Sequence, residues 1–219
     1  MRKHLLATGN YYHIFNRSIA NYVIFNGPDD YRRMIDTLDL YRFKDFSYSF
    51  SYFCDRSLFE QQAIINRINK SEKLVDIISF CLMPTHPHLV LKQNCDKGIT
   101  QYISKVLNSY SRYFNEKHKR KGPLWEGHFE SRLIRSDELL LHTTRYAHLN
   151  PVTAKLVERP EDWAYSSYHQ YIGRDNSNEI CDFNSVLDIK PDLYKKFVND
   201  RISYQRELSK IKKIIAGNY

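Results

Sequence analysis

Two histidines separated by one proline interrupt an apolar stretch of the chain, SFCLMPTHPHLVLKQ at residues 79–93. If this stretch forms a strand, His86 and His88 lie on the same face, because side chains alternate along a strand. Two imidazoles on one face can bind one divalent cation, and a pair of solvated surface histidines is the alternative interpretation. Pro87 cannot donate to a neighbouring strand, which favours an edge, a strand start or a bulge at this point.

A tyrosine and an asparagine one helical turn apart form the second candidate pair. Tyr146 and Asn150 lie in SDELLLHTTRYAHLN at 136–150, which begins with a serine cap and two acidic residues. The spacing of i and i+4 places both side chains on one face of the predicted helix. Because Pro151 follows, we expect the helix to end at Asn150. A core tyrosine above an asparagine is the commoner use of such a pair.

Basic residues form the third candidate feature. The chain carries 33 Lys and Arg against 25 Asp and Glu, a formal net charge of +8, and this excess favours phosphate-rich partners. For the cluster near the end of the helix predicted over 99–120, a solvated helix terminus and a contact with phosphates are comparable interpretations. The candidate phosphate-contacting residues are Arg112, Lys117, Lys119, Arg120, Lys121, Arg132 and Arg135.

Several classes of protein are disfavoured by what the sequence lacks. No apolar stretch is long enough to cross a bilayer or to act as a signal peptide, so we expect a cytoplasmic protein that does not contact membranes. The four cysteines never occur at the two-residue spacing of a zinc site or redox pair. No glycine-rich loop that could hold a nucleotide phosphate is present among the seven glycines.

The elements that must position these side chains follow from the hydrophobic periodicity. Alternating residues predict strands over 11–19, 75–83, 86–93 and 129–135. Helical spacing predicts helices over 27–43, 99–120 and 136–150. Residues 47–73 change from alternation to a polar, helix-like pattern without a clear assignment, and 182–219 have the composition of one or two charged helices. A chain of 219 residues suits one globular domain with an appendage.

Five segments, in this order, resemble the single-tyrosine transposases of the HUH superfamily, most closely the branch of REP-associated tyrosine transposases. They are YYHIFNRS, CLMPTHPHLVL, NSYSRYFNEKHKRKGPLWEGHFESRLI, RYAHLNPVTAKLV and EDWAYSSYHQYIG, and together they cover residues 8–175. The resemblance implies an α+β fold with a ferredoxin-like, RRM-like antiparallel sheet and helices packed on it. It also implies a transposase domain at 1–178, followed by a C-terminal helical extension at 179–219.

The resemblance further implies a metal-dependent endonuclease and strand transferase that acts on single-stranded DNA through a 5′-phosphotyrosine intermediate. By this similarity His86, His88 and Asn150 are expected to bind Mg²⁺ or Mn²⁺, and Tyr146 is expected to be the nucleophile. The implied partner is a DNA hairpin or repeat element, bound by a monomer or homodimer associated with the nucleoid. Attack by a phenol requires activation by the metal or a base, for which His142 and His148 are weaker candidates.

Two alternative functions use the same residues differently. A sheet with exposed aromatic residues can bind unpaired bases without any chemistry. A metal-dependent hydrolase would use water as nucleophile and leave no covalent protein–DNA adduct. The sequence also departs from the family pattern at two places, because Pro87 replaces a bulky hydrophobic residue between the histidines and the segment 43–75 is longer than usual.

Overall fold

The computed structural model describes residues 5–174 and 180–204. One antiparallel sheet is formed by β1 (Tyr11–Phe15), β2 (Val75–Met83), β3 (His86–Gln93) and β4 (Glu130–Ile134). Its strand order is β2-β3-β1-β4. The helices of the described residues are α1 (Pro28–Tyr41), α2 (Phe50–Cys54), α3 (Leu58–Ile68), α4 (Gly98–Lys117), α5 (Asp137–Thr153), α6 (Tyr168–Tyr171) and α7 (Pro191–Asn199).

The connections between the strands are those of a ferredoxin-like fold. Helix α1 precedes β2, β2 and β3 form a hairpin, and α4 connects β3 to β4. Each neighbouring pair of strands is antiparallel. The predicted α+β class and antiparallel sheet are therefore confirmed. Helices α2 and α3 occupy the long segment between α1 and β2.

Helices α1 and α4 cover one face of the sheet because both are amphipathic. Pro28 occupies the first turn of α1, and the helix buries Met34 and Leu38. Helix α4 buries Ile103 in the same way, and these side chains meet Leu89 of β3. Complete burial of one such side chain stabilises the fold by about 1.5–3 kcal/mol.

Helix α5 covers the opposite face of the sheet. The hydroxyl of its N-cap Ser136 accepts a hydrogen bond from the backbone N–H of Leu139. Ala147 of α5 packs against Cys81 and Met83 of β2. These two residues pair across the ladder with the histidines of β3, so both histidines lie on the face that α5 covers.

The end of α5 differs from the prediction, since the helix runs through Pro151 to Thr153 rather than ending at Asn150. Proline has no N–H to donate to the carbonyl four residues earlier, which belongs to Ala147. The Asn150 side chain supplies a substitute, because its Nδ2 donates to the oxygen of Ala147 at 3.3 Å and to that of Tyr146 at 3.0 Å. The helix therefore continues past the proline.

Pro87 fits into β3 without disturbing the strand. It pairs with Leu82, whose backbone N–H donates to Tyr165 and whose carbonyl accepts from Trp163, both outside the sheet. The Leu82–Pro87 pair therefore needs no hydrogen bond between its strands. On the other side of β3, the pairing with β1 ends at His88. No partner strand requires an N–H at Pro87, and the histidines keep a common face.

The C-terminal segment packs against α5. Tyr194 of α7 is buried, and its hydroxyl lies 3.0 Å from Oγ1 of Thr144 and 2.7 Å from Nδ1 of His148. Residues 205–219 of the predicted extension lie outside the described residues, and the domain division at 178 stays a prediction. Among the described residues, no helix has the length and apolar character needed to cross a membrane.

Candidate active site

The two histidines of β3 converge on the same point. Nε2 of His86 lies 3.1 Å from Nε2 of His88. The other ring nitrogen of His86, Nδ1, lies 2.8 Å from the hydroxyl of Thr85. Both rings therefore present Nε2 toward one position, and the contact with Thr85 fixes the orientation of the His86 ring.

A third histidine, which the sequence analysis did not select, completes the cluster. Nε2 of His13 lies 3.1 Å from Nδ1 of His88, with the two rings stacked 5.2 Å apart. His13 lies on β1, where it is the diagonal neighbour of His88, whose direct partner is Phe15. A lone histidine in an alternating strand carries no signal of its own. The register between β1 and β3 would have been needed to find it.

All three imidazoles are held in the neutral form that binds metals. Burial, with a contribution from Arg132, lowers the pKa of His13 to about 4. Burial and Arg17 likewise lower the pKa of His86 to about 4. The pKa of His88 is well below its usual value, because of burial first and then the neighbouring histidines and Arg17. At neutral pH the cluster therefore carries free lone pairs and no proton charge.

Tyr146 of α5 lies over this cluster. Its ring centroid is 5.8 Å from those of both His13 and His88, in edge-on orientation. The side chain is nevertheless 45% exposed. Unlike Tyr102 and Tyr110, which are buried and donate their hydroxyls to backbone carbonyls, Tyr146 is accessible to a ligand.

A cavity of about 370 Å³ opens beside the Tyr146 ring. It lies between β4 and α5, and its wall combines a cation with apolar surface. Besides His13 and Tyr146 themselves, the lining residues are Arg132, Leu133, Ile134, Leu139, His142 and Thr143. A phosphate beside Arg132 and an unpaired base on the apolar part are the chemical groups that this wall suits.

The two suggested bases differ in position. His142 lines the cavity with Tyr146, and its Nδ1 lies 2.7 Å from Nη2 of Arg145. His148 is fully buried between Tyr194 and Ser167, and burial lowers its pKa to about 3. Because it faces the core, His148 cannot take a proton from Tyr146.

Asn150 lies on α5 one helical turn after Tyr146 and is not hydrogen-bonded to the histidine cluster. In the described residues its Nδ2 donates to backbone carbonyls of its own helix, and no hydrogen bond joins it to His86 or His88. These two bonds use the amide nitrogen and leave the amide oxygen available as a ligand. The structure thus brings together His86, His88 and Tyr146, with Asn150 one helical turn beyond.

The histidine pair fits a divalent cation. Two ligand nitrogens about 2.1 Å from one ion, and at right angles to each other, lie about 3.0 Å apart, and the observed separation is 3.1 Å. Among the described residues, no three His, Cys, Asp or Glu side chains converge as ligands. The remaining positions would therefore be filled by oxygen atoms, which suits Mg²⁺ or Mn²⁺.

The predicted phosphate-contacting residues divide into separate groups. Arg132 borders the Tyr146 cavity, whereas Arg112 lines a different cavity beside α1. Lys117 pairs with the buried carboxylate of Asp30 at 2.6 Å, and Arg120 donates to the carbonyl of Pro123. The other three members, Lys119, Lys121 and Arg135, are exposed, and none of them forms an ion pair with a described residue.

Comparison with known proteins gives three matches. A family model described as "Transposase IS200 like" matches residues 46–139, which include the β3 histidines but neither His13 nor Tyr146. A curated protein of Haemophilus influenzae, named as a REP-associated tyrosine transposase, is 30% identical over an alignment of 128 residues that covers 54% of this chain and 73% of that protein. A solved REP-associated tyrosine transposase bound to a REP hairpin has a TM-score of 0.54 at 16% identity, over 86% of this chain and 97% of that chain.

Proposed function

The chain belongs to the family of REP-associated tyrosine transposases, and we propose that it cleaves and rejoins single-stranded DNA with Tyr146 as the nucleophile. One observation carries this proposal. An exposed tyrosine lies over a cluster of neutral histidines and lines a cavity of about 370 Å³. Its relatives are transposases, so an enzyme is favoured over a module that binds DNA without chemistry.

The proposed reaction exchanges one phosphate ester for another. The Tyr146 oxygen attacks the phosphorus and loses its proton to solvent or a base, which forms a bond to the 5′ end of the DNA. The bond between phosphorus and the 3′ oxygen breaks, and that oxygen takes up a proton as a free hydroxyl. Because the ester energy is retained in the phosphotyrosine, the 3′ hydroxyl of the same or another strand can reverse the step.

His86, His88 and the amide oxygen of Asn150 would hold the divalent cation. When bound there, Mg²⁺ or Mn²⁺ would neutralise charge on the phosphate and polarise the phosphorus. The protein side chains prepare this position. In the tautomer that leaves both Nε2 atoms free, Nδ1–H of His86 donates to Thr85 and Nδ1–H of His88 donates to His13.

Two arginines extend the positive surface around the neutral histidines. Arg17 is close enough to His86 and His88 to lower the pKa of each, and Arg132 acts on His13 in the same way. We assign both to the phosphates on either side of the bond that is cleaved.

The proposed substrate is single-stranded DNA next to a hairpin or repeat. The solved relative contains a REP hairpin, and this chain has the same fold. The mixed cationic and apolar wall beside Tyr146 suits unpaired nucleotides rather than a duplex, because both the phosphate and the base face can be contacted there.

The test is capture of a covalent adduct with a labelled pool of single strands of random sequence, in the presence of Mn²⁺. Tyr146→Phe removes one hydroxyl from a half-exposed ring, so its free energy of unfolding should change by no more than about 1 kcal/mol. The adduct should nevertheless be lost, because no other group replaces a covalent nucleophile.

Matched controls are Tyr102→Phe, Tyr110→Phe and Tyr113→Phe on α4, which should all retain the adduct. An adduct that persists in Tyr146→Phe would exclude this residue as the nucleophile. Cleavage by the parental protein without any adduct would instead favour the hydrolase that uses water.

A further inference from the structure

A second cavity, of about 300 Å³, lies on the other side of the molecule from Tyr146. It is bordered by α1, by α4 and by the segment that leads into α2. Because α1 and α4 cover the sheet face opposite α5, this cavity and the Tyr146 cavity are separated by the sheet. Its size is at the lower end for small-ligand sites and suits about one nucleotide.

The wall of this cavity is cationic. Arg33 of α1 and both Lys105 and Arg112 of α4 line it, and among the described residues no carboxylate does. The Arg112 side chain forms neither an ion pair nor a hydrogen bond with any described residue. Three cations around one space repel each other, so the arrangement favours an anion between them.

Arg33 is held in place with a donor unused. Its guanidinium lies 4.0 Å from the ring centroid of Phe50 and 5.0 Å from that of Tyr113, and its Nη2 donates to the Ser51 hydroxyl at 3.3 Å. Its Nε is buried and has no hydrogen-bond partner among the described residues. A buried N–H without an acceptor costs free energy, so Arg33 keeps hydrogen-bonding capacity that the described residues do not use.

Lys105 is in a similar condition. Burial lowers the pKa of its ammonium group. The one hydrogen bond of its Nζ in the described residues is a long contact, 3.5 Å to the carbonyl of Phe46. A partly buried ammonium without a carboxylate gains more from an anion than a solvated lysine does.

Neutral groups complete a surface for a nucleotide. The hydroxyls of Ser47 and Ser109 and the amide of Asn108 can donate to phosphate oxygens. Tyr48 also lines the cavity, and its ring stacks on that of Tyr52 with centroids 5.3 Å apart. An aromatic ring beside cations is the usual combination for an unpaired nucleotide.

We propose that this cavity binds one nucleotide of the DNA at a distance from the cleaved bond, with its phosphate between Arg33, Lys105 and Arg112 and its base against Tyr48. The inference rests on the proposed action on DNA and goes beyond it, since it assigns a second DNA contact across the sheet. A strand bound there and at Tyr146 must pass around the edge of the domain.

The test compares two double variants that remove the same charge. Lys105→Gln with Arg112→Gln removes two of the three positive charges of the cavity and keeps Arg33, which packs on Phe50. Lys190→Gln with Lys196→Gln neutralises two exposed cations at α7 that line neither cavity. Binding of each full-length variant is measured by anisotropy with labelled single strands of about 6 and about 30 nucleotides, which reach one or both sites.

The cavity variant should bind the long strand about tenfold more weakly than the control variant, because charged hydrogen bonds to phosphate are lost. Both should bind the short strand alike and form the Tyr146 adduct at the same rate. Equal affinity of the two variants for the long strand would overturn the proposal. Adduct formation reports on the proposed function separately, so the two failures are distinguishable.

A free nucleotide offers the cavity the same phosphate and base as a nucleotide within DNA, and thymidine monophosphate is used to test this alternative ligand. If it binds to the parental protein and not to the cavity variant, while long-strand affinity is equal in both variants, the cavity takes a free nucleotide and the DNA assignment is wrong. If the free nucleotide competes with the long strand in the parental protein, the DNA assignment is supported.

Discussion

At the residue scale, the site depends on a histidine that orients another histidine. Metal-binding histidines usually donate their second N–H to a carboxylate, a carbonyl or water. In the proposed metal site the acceptor for Nδ1–H of His88 would be the imidazole of His13, which is buried and neutral. A carboxylate in this position would add negative charge beside the phosphate of the proposed substrate, whereas an imidazole would orient His88 without that repulsion.

We predict that His13→Ala lowers the affinity for Mn²⁺ by about 10- to 100-fold, since loss of an orienting partner has this effect in other metal sites. His13→Gln should restore most of the affinity, because its amide oxygen can still accept from Nδ1–H of His88. Calorimetric titration with Mn²⁺ measures this without DNA.

The control for this titration is Tyr146→Phe, which should bind Mn²⁺ as the parental protein does. Thermal unfolding must show that each variant is folded at the temperature of the titration. Unchanged Mn²⁺ affinity in His13→Ala would show that His88 needs no orienting partner.

At the element scale, the hydrophobic pattern predicted most of the strands and helices correctly, and the errors have local causes. The strands of the β2–β3 hairpin and the start of α1 are where alternation, Pro28 and the acidic residues placed them. The predicted end of α5 at Asn150 was wrong. The expectation that a helix ends before a proline does not take into account the side-chain hydrogen bond from Asn150 to the carbonyl of Ala147. His13 was missed for a related reason, since strand register is not readable from one sequence.

We predict that Asn150→Ala destabilises the fold by about 1 kcal/mol, because the carbonyl of Ala147, which receives no N–H from Pro151, loses its side-chain donor. The loss should be smaller in the Pro151→Ala background, where a backbone N–H becomes available to Ala147. Denaturant unfolding of the two single variants and the double variant measures this coupling.

Asn150→Asp separates the structural role from the metal. It removes the donors but keeps a ligand oxygen, so Mn²⁺ affinity should persist while stability falls as in Asn150→Ala. If the changes in unfolding free energy caused by Asn150→Ala and Pro151→Ala are additive, the Asn150 side chain does not replace the backbone hydrogen bond that Pro151 cannot donate to Ala147.

At the scale of the whole molecule, the sheet separates the face that carries the histidines from the face that α1 and α4 cover. One face carries the three histidines beneath α5, and α7 supports α5 through the buried contacts of Tyr194 with Thr144 and His148. The other face is covered by α1 and α4, whose outer side forms the cationic cavity with the segment before α2.

From the family resemblance, the sequence selected His86, His88 and Tyr146 of the first surface, and their roles stay predictions. It grouped the basic residues as one DNA-contacting set, and the structure separates them. Arg132 lies at the Tyr146 cavity, Arg112 lies across the sheet, and Lys117 is used to pair with buried Asp30. Sequence proximity could not reveal this division, because it depends on which face each helix presents after packing.

The proposed reaction requires that one particular tyrosine among 17 becomes covalently bound to DNA. The most direct measurement is mass spectrometry of the adduct, after nuclease has trimmed the DNA to a short remnant and protease has cut the chain into peptides. We expect the remnant to be attached through a 5′ phosphate to Tyr146, in the peptide that also contains His148. A remnant attached to any other tyrosine, or to no residue while the DNA is cut, would contradict it.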